Sequence, residues 1–316
     1  MKSLVRALII MLGSFFSHQA TASPLMSPGD RVALVAPASA ATGPALDHAI
    51  ANLKALGLEP VTDYLPTGSY GYLAAADEAR AKMIIDAAQD ESVAALWAIR
   101  GGYGSMRILE SLTQATPKFL IGYSDITAPL NFLVNHGWTA IHGPVAGERW
   151  DAASTESIRR LLFEQGDPTG FSTTAGKTLV QGSATGQIVG GNLTLITSMI
   201  GTDFELDING KVLVLEEVSE RPRRIDRMLL QLHQHYDLNS AAAIVLGHFT
   251  DCEPKSGDPD FSLEETLDLA FKPVKIPVAS GFAIGHDLPN LAFRIGHHAE
   301  IDFNEQFRSI RFTQSN

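Results

Sequence analysis

The chain has 316 residues, and 45% of them are hydrophobic, enough to bury a sizeable core and too many for a disordered chain. Acidic residues number 35 against 24 lysines and arginines, and the resulting formal net charge of −11 argues against nucleic acid or an anionic membrane as the main partner. Cys252 is the single cysteine, which excludes an intrachain disulfide and a cysteine zinc site, and no basic group in "FTDCEP" flanks it to activate the thiol.

The N-terminus reads as a secretory signal. Lys2 and Arg6 give a basic start, "LVRALIIMLGSFF" an apolar core too short for a membrane anchor, and "ATA" a small-x-small cleavage site ending at Ala22. No cysteine follows to carry a lipid, so residues 1–22 are expected to be removed and the mature chain to be soluble and exported, without stable membrane insertion.

In chain order, "DRVALVAPAS" reads as a buried strand and "GPALDHAIANLKALG" as a helix ended by Gly57. "DEARAKMIIDAAQD" is a second helix, "VAALWAI" a second core strand running into "RGGYG", and "SMRILESL" a short helix. "KFLIGYS" is a strand, "DITAPLNFLVNHG" a helix and "TAIHGPV" a short strand. Strands alternating with helices predict a doubly wound, mostly parallel sheet over 23–155, with functional groups at the carboxyl ends of its strands. The Gly-, Ser- and Thr-rich stretch that follows predicts a linker over 156–180. Beyond it, "KVLVLEEV" is a strand, "RRIDRMLLQLHQHYDL" an amphipathic helix, and "AAAIVLGHF", "EETLDLAFK" and "PVASGFAIGH" continue the mixture. The ending "LAFRIGHHAEIDF" and "SIRFTQ" looks antiparallel, so 181–316 is expected to form an α+β domain with a mixed sheet.

Ser124 stands where a strand meets a helix, and there amide groups and the helix dipole favour negative charge. That position suits a nucleophile, because the amide of Asp125 can help hold an oxyanion. The hydrolase elbow G-x-S-x-G is incomplete, since Ile126 stands where the second glycine belongs. From this stretch alone an N-cap role is the simpler reading of the same serine. The adjacent glycines of "RGGYG" permit positive φ and close approach of a ligand to backbone amides, or merely a tight turn. They match neither a dinucleotide fingerprint nor a P-loop, which disfavours a dinucleotide cofactor.

A nucleophilic serine needs a base and the base an orienting acid. His286 in "GFAIGHD" and His248 in "VLGHF" both follow a strand and a glycine, so spacing leaves the choice open. His233 and His235 sit among polar helix residues, and His297 and His298 point to opposite faces of a strand. Glu216 ends the apolar run of "VLVLEEVSE" and is expected to be the more buried of two adjacent acids, with Glu217 on the other face. A salt bridge from Glu216 to the arginines of "RPRRIDR" is the alternative. With no H-E-x-x-H, and with the two adjacent histidines unable to chelate from one face, no catalytic metal is expected.

Taken in order, "PGDRVALVAPAS", "DEARAKMI", "AIRGGYGSMRIL", "LIGYSDITA", "GGNLTLITSMIGT", "LVLEEVSERPRRIDRMLLQL", "VLGHF" and "GFAIGH" resemble the LD-carboxypeptidases, the murein tetrapeptide carboxypeptidases of bacteria, over nearly the whole mature chain. The resemblance implies an N-terminal α/β and a C-terminal α+β domain, often as a homodimer, with a metal- and cofactor-free Ser-His-Glu triad assembled between them. It places the nucleophile on Ser124 in "G-Y-S-D", the acid on Glu216, the base on His286, and the oxyanion donors on the amides of Gly102 and Asp125. The substrate it implies is a muropeptide whose tetrapeptide stem ends in diaminopimelate-D-alanine, met here in the periplasm because of the export signal. The extra arginines of "RPRRIDR" suggest an acidic substrate group. An LD-endopeptidase on cross-linked murein, a self-immunity peptidase resembling the microcin-inactivating branch, and a non-catalytic muropeptide-binding protein are the alternatives. A triad split between domains is also expected to depend on how the domains are placed.

Overall fold

The structure, a computed structural model, describes residues 24–164 and 170–313; the expected export segment at 1–22 lies outside these residues. From the N-terminal side come β1 (Arg31–Val35), α1 (Gly43–Ala55), β2 (Glu59–Val61), α2 (Asp77–Gln89), β3 (Val93–Ala98), α3 (Leu109–Leu112), β4 (Phe119–Gly122), α4 (Thr127–Val134) and β5 (Thr139–His142). The strands pair in parallel in the order β5-β4-β3-β1-β2. Their apolar runs serve two cores. Val32, Leu34, Ala95 and Trp97 face α1 and a further helix, α5 (Ala152–Phe163), whereas Ala33, Val35, Leu96 and Ala98 join the core on the opposite side. This is why the strands are apolar at nearly every position rather than at alternate ones.

The second half contains β6 (Phe171–Thr173), β7 (Thr178–Val180), β8 (Gly182–Asn192), α6 (Leu193–Met199), β9 (Val212–Val218), α7 (Pro222–His235), β10 (Ala243–Thr250), α8 (Leu263–Phe271), β11 (Val278–Ala279), β12 (Phe293–Arg294), β13 (His298–Phe303) and β14 (Arg308–Phe312). Seven of the strands join β8 in a mixed sheet ordered β6-β14-β13-β8-β9-β10-β11-β7. The long β8 is its backbone, pairing antiparallel with β13 and parallel with β9. The fold is therefore the α/β plus α+β combination the sequence predicts.

Three details differ from the sequence reading. The boundary expected at 155 falls inside α5, whose Ile158, Leu161 and Leu162 pack in the core of the first sheet. The described parts of that stretch, 156–164 and 170–180, are thus a helix end and two strands rather than a bare linker. In "PVASGFAIGH" only Val278–Ala279 is strand; the chain then leaves the second sheet and returns as β12 to the edge of the first, antiparallel to β5.

The halves are joined through α4. Asn131 donates to the Gly190 carbonyl (2.9 Å) and accepts from the Gly190 amide (2.9 Å), and the Asn192 amide donates to Thr127 Oγ1 (3.0 Å). Gly191 has φ 135°, and a Cβ there would lie 2.6 Å from Thr127 Oγ1, so β8 approaches α4 as closely as only glycine allows. Leu130 and Leu133 share one apolar cluster with Val189, Leu193 and Ile196, each large side chain contributing about 1.5–3 kcal/mol by burial. The start of α4 is thereby held against the second sheet.

Candidate active site

Ser124 opens a short 3-10 turn, Ser124–Ile126, at the end of β4, with φ 64°. Such a left-handed conformation in a serine costs about 1–3 kcal/mol and marks a position that its surroundings enforce. The turn is closed over Gly122, where a Cβ would come within 3.0–3.1 Å of three Ile126 side-chain atoms. The residue that spoils the G-x-S-x-G pattern is thus the one that packs across the missing side chain of Gly122. Ser124 makes no helix cap; its hydroxyl instead meets His286 Nε2 at 3.0 Å.

His286 lies on the stretch that runs from β11 in one sheet to β12 in the other. Its Nδ1 meets Glu216 Oε2 at 2.7 Å. A carboxylate only accepts, so Nδ1 donates and Nε2 is left to accept the Ser124 hydroxyl proton. Glu216 is fully buried at the end of β9, and a slot of glycines admits it: a Cβ at Gly285 (φ 116°) would lie 2.7 Å from its Oε2, and one at Gly247 3.3 Å from its Cβ. Burial opposes charge on His286, but the hydrogen bond and charge of Glu216, with Glu148 and Glu217 further off, lift its pKa above the ordinary imidazole value.

The neighbours of these residues have other partners. Glu217 accepts from Asn192 Nδ2, from the Thr194 amide and hydroxyl, and from the Val218 amide, all within 2.7–2.9 Å. Burial raises its pKa, as it does that of Asp125, whose Oδ2 accepts the Ser105 amide at 2.8 Å. His248 is half-buried, and burial lowers its pKa; its backbone amide donates to Ile284. His233 meets the Ala270 carbonyl and His235 meets Glu205, so both are engaged rather than free in solvent. His297 is buried and His298 exposed, as strand alternation requires. Burial pushes the Cys252 thiol up to about 12, leaving it unreactive. Arg221, Arg223 and Arg224 pair with Asp258, Asp260 and Glu220, so the salt bridge considered between Glu216 and these three arginines is not formed. Among the described residues, no three His, Cys, Asp or Glu side chains are grouped to hold a metal ion.

Beside Ser124 the "RGGYG" loop packs closely against the turn. A Cβ at Gly101 would lie 3.0 Å from Ser124 Oγ and 3.1 Å from the Asp125 nitrogen. Only a glycine here leaves the Ser124 hydroxyl and the Asp125 amide uncrowded, so that both can face a reacting group. Gly102 has φ 104°, and a Cβ there would collide with Ser39 Oγ. Ser105 and Asp125 tie this loop to the turn: besides the amide contact, Ser105 Oγ donates to the Asp125 carbonyl at 2.6 Å. Sequence reasoning singled out the adjacent glycines but gave Gly101 no role of its own. It also passed over Tyr123, whose ring lies 4.7 Å from that of His286 and whose hydroxyl donates to both Glu148 carboxylate oxygens (2.8 and 3.0 Å). His142 was missed as well; it is fully buried, stacked 4.7 Å from Phe293, and burial lowers its pKa to about 3.

Fold and site together define a two-domain α/β protein with a serine–histidine–carboxylate array between its sheets. Residues 32–143 match the LD-carboxypeptidase N-terminal domain and residues 185–301 the LD-carboxypeptidase C-terminal domain. The chain belongs to the LD-carboxypeptidase family. It is 35% identical over 292 residues to a Bacillus subtilis protein named "probable murein peptide carboxypeptidase", covering 89% of this chain and 91% of that one. A murein tetrapeptide carboxypeptidase of Pseudomonas aeruginosa is 33% identical over 87% of this chain and 94% of its own. The crystal structure of muramoyltetrapeptide carboxypeptidase from Oxalobacter formigenes superposes with a TM-score of 0.79 at 27% identity, covering 90% of this chain and 99% of that one.

Proposed function

We propose that the chain is an exported serine-type LD-carboxypeptidase that removes the terminal D-alanine from murein tetrapeptide stems, cutting the bond from the L-centre of diaminopimelate. The observation that carries this reading is the continuous hydrogen-bonded path from Ser124 Oγ through His286 to buried Glu216, at 3.0 and 2.7 Å. In the proposed reaction His286 Nε2 takes the Ser124 proton as Oγ adds to the scissile carbonyl carbon. The amides of Asp125 and Gly102 receive the oxyanion, at about 3 kcal/mol per donor in comparable sites. His286 then hands the proton to the departing amine of D-alanine, leaving an acyl-serine. Water, deprotonated by the same imidazole, releases the tripeptide and restores the hydroxyl. Glu216 holds the imidazole tautomer and stabilises its cation. Export is supported by the basic, apolar and small-residue order of residues 1–22.

The test is incubation of the purified protein with tetrapeptide and tripeptide stems, followed by mass spectrometry. Loss of one alanine mass from the tetrapeptide alone is the expected result. Monomer release from cross-linked muropeptides without alanine loss would move the assignment to an endopeptidase. Alanine release that survives Ser124→Ala would overturn the triad mechanism.

A further inference from the structure

Glu148 has no part in the hydrogen-bonded path just described, yet it stands beside it. It follows β5 on a loop whose backbone is fixed, its carbonyl accepting from Asn52 Nδ2 at 2.8 Å. The residue is exposed, while its carboxylate sits low enough in the surface for the surrounding protein to raise its pKa. The charges of His286 and Arg100 reach it and favour its ionised form, and that of Glu216 opposes it. It therefore borders the same space as the serine and imidazole. Its one side-chain partner is the Tyr123 hydroxyl, and among the described residues no cation lies within ion-pair distance of it. One tyrosine proton shared between two oxygens leaves most of the acceptor capacity of a carboxylate unused. Arg100 also lacks an acidic partner among the described residues, bonding only to the Ala40 carbonyl (3.3 Å). The two opposite charges thus sense each other without closing into an ion pair, and an open carboxylate of this kind is suited to a ligand cation.

We infer that Glu148 is a specificity-determining residue that receives the side-chain ammonium of the diamino acid on the acyl side of the scissile bond. The inference rests on the peptidase reading and deepens it. The spacing is set by Tyr123: it adjoins Ser124 in sequence, lies along His286, and holds Glu148 at the far end of its ring. The carboxylate is therefore about one long side chain away from the nucleophile, as the distal amine of a diamino acid is from its own reacting carbonyl.

The experiment compares two tetrapeptide stems that differ only in the distal amine of diaminopimelate, free in one and N-acetylated in the other. The wild-type protein is expected to favour the free amine in kcat/KM by about 10- to 100-fold, the range of one hydrogen bond to a charged group. Glu148→Gln should remove that preference, chiefly through KM on the free-amine stem, while any effect of its charge on His286 is a smaller change common to both stems. Tyr123→Phe, which keeps the ring and frees the carboxylate, should retain the preference. A parallel fall on both stems in Glu148→Gln would reduce Glu148 to a support for Tyr123 and overturn the inference, as would a wild-type protein indifferent to acetylation. If the wild-type protein releases alanine from neither stem, the peptidase reading itself fails and the inference goes with it.

Discussion

The ends of β4 and β9 form an instructive pair. Each places two polar residues next to one another, Ser124 with Asp125 and Glu216 with Glu217, and in each pair one residue turns to the site while the other turns inward. The inward acids are well supplied with donors. Glu217 has four and Asp125 is locked to Ser105, so both behave as structural groups. The outward residues are held by fewer contacts and by unusual means. Ser124 is held by a left-handed backbone, and Glu216 by full burial with one histidine as its partner and its Oε1 unpaired among the described residues. Reactivity here belongs to the under-satisfied member of each pair, and stability to its neighbour.

Substitutions can test that division, beginning where the largest effect is expected. Ser124→Ala should cut alanine release by about 10⁴-fold or more, as removal of a nucleophile does elsewhere, while leaving urea unfolding close to wild type. Glu216→Gln keeps the shape but not the charge, and should lower kcat by about 10³- to 10⁴-fold. It should also shift the pH profile in a definite direction. The imidazole must be neutral to accept the serine proton, and its pKa is raised, so activity is lost as pH falls through a value above the ordinary imidazole range. Removing the carboxylate charge leaves burial dominant, and the acid limb of kcat/KM should move to lower pH. Gly101→Ala would press a methyl against Ser124 and the Asp125 amide and displace them, and kcat should fall about 10²- to 10³-fold. Glu217→Gln is the contrasting case: turnover should change no more than a few-fold, while chemical denaturation shows a loss of about 1–3 kcal/mol. Equal losses of turnover in Glu216→Gln and Glu217→Gln would erase the distinction between the two members of the pair.

Much of this arrangement can be read along the chain because it is local. Ser124 at a strand end and Glu216 closing an apolar run are both consequences of parallel strands buried on two faces. The choice between His286 and His248 is different, because each follows a strand and a glycine. What separates them is that the chain after β11 departs for the other sheet, a tertiary event that leaves no periodicity behind. β12 has only two residues, too few for any pattern to announce it. α5 did carry a signal: Asp151 caps it by accepting the Ser154 amide (2.8 Å), and Ile158, Leu161 and Leu162 recur at helical spacing. The Gly- and Ser-rich stretch beyond it obscured that helix. Glu148 belongs to no motif, and only the folded position of Tyr123 gives it a meaning.

The return of β12 to the first sheet has a topological consequence. Although each half matches its own family domain, a cut between α5 and β6 would not yield two self-sufficient fragments. The earlier piece would keep the serine but bare β5 as an open edge, a surface prone to pairing with foreign chains. The later piece would keep the imidazole and its acid, attached to a strand with no sheet to join. Restoration of hydrolysis by mixing such fragments would therefore require β12 to dock, Phe293 and Arg294 against His142 and Ile141, together with the α4–β8 contacts.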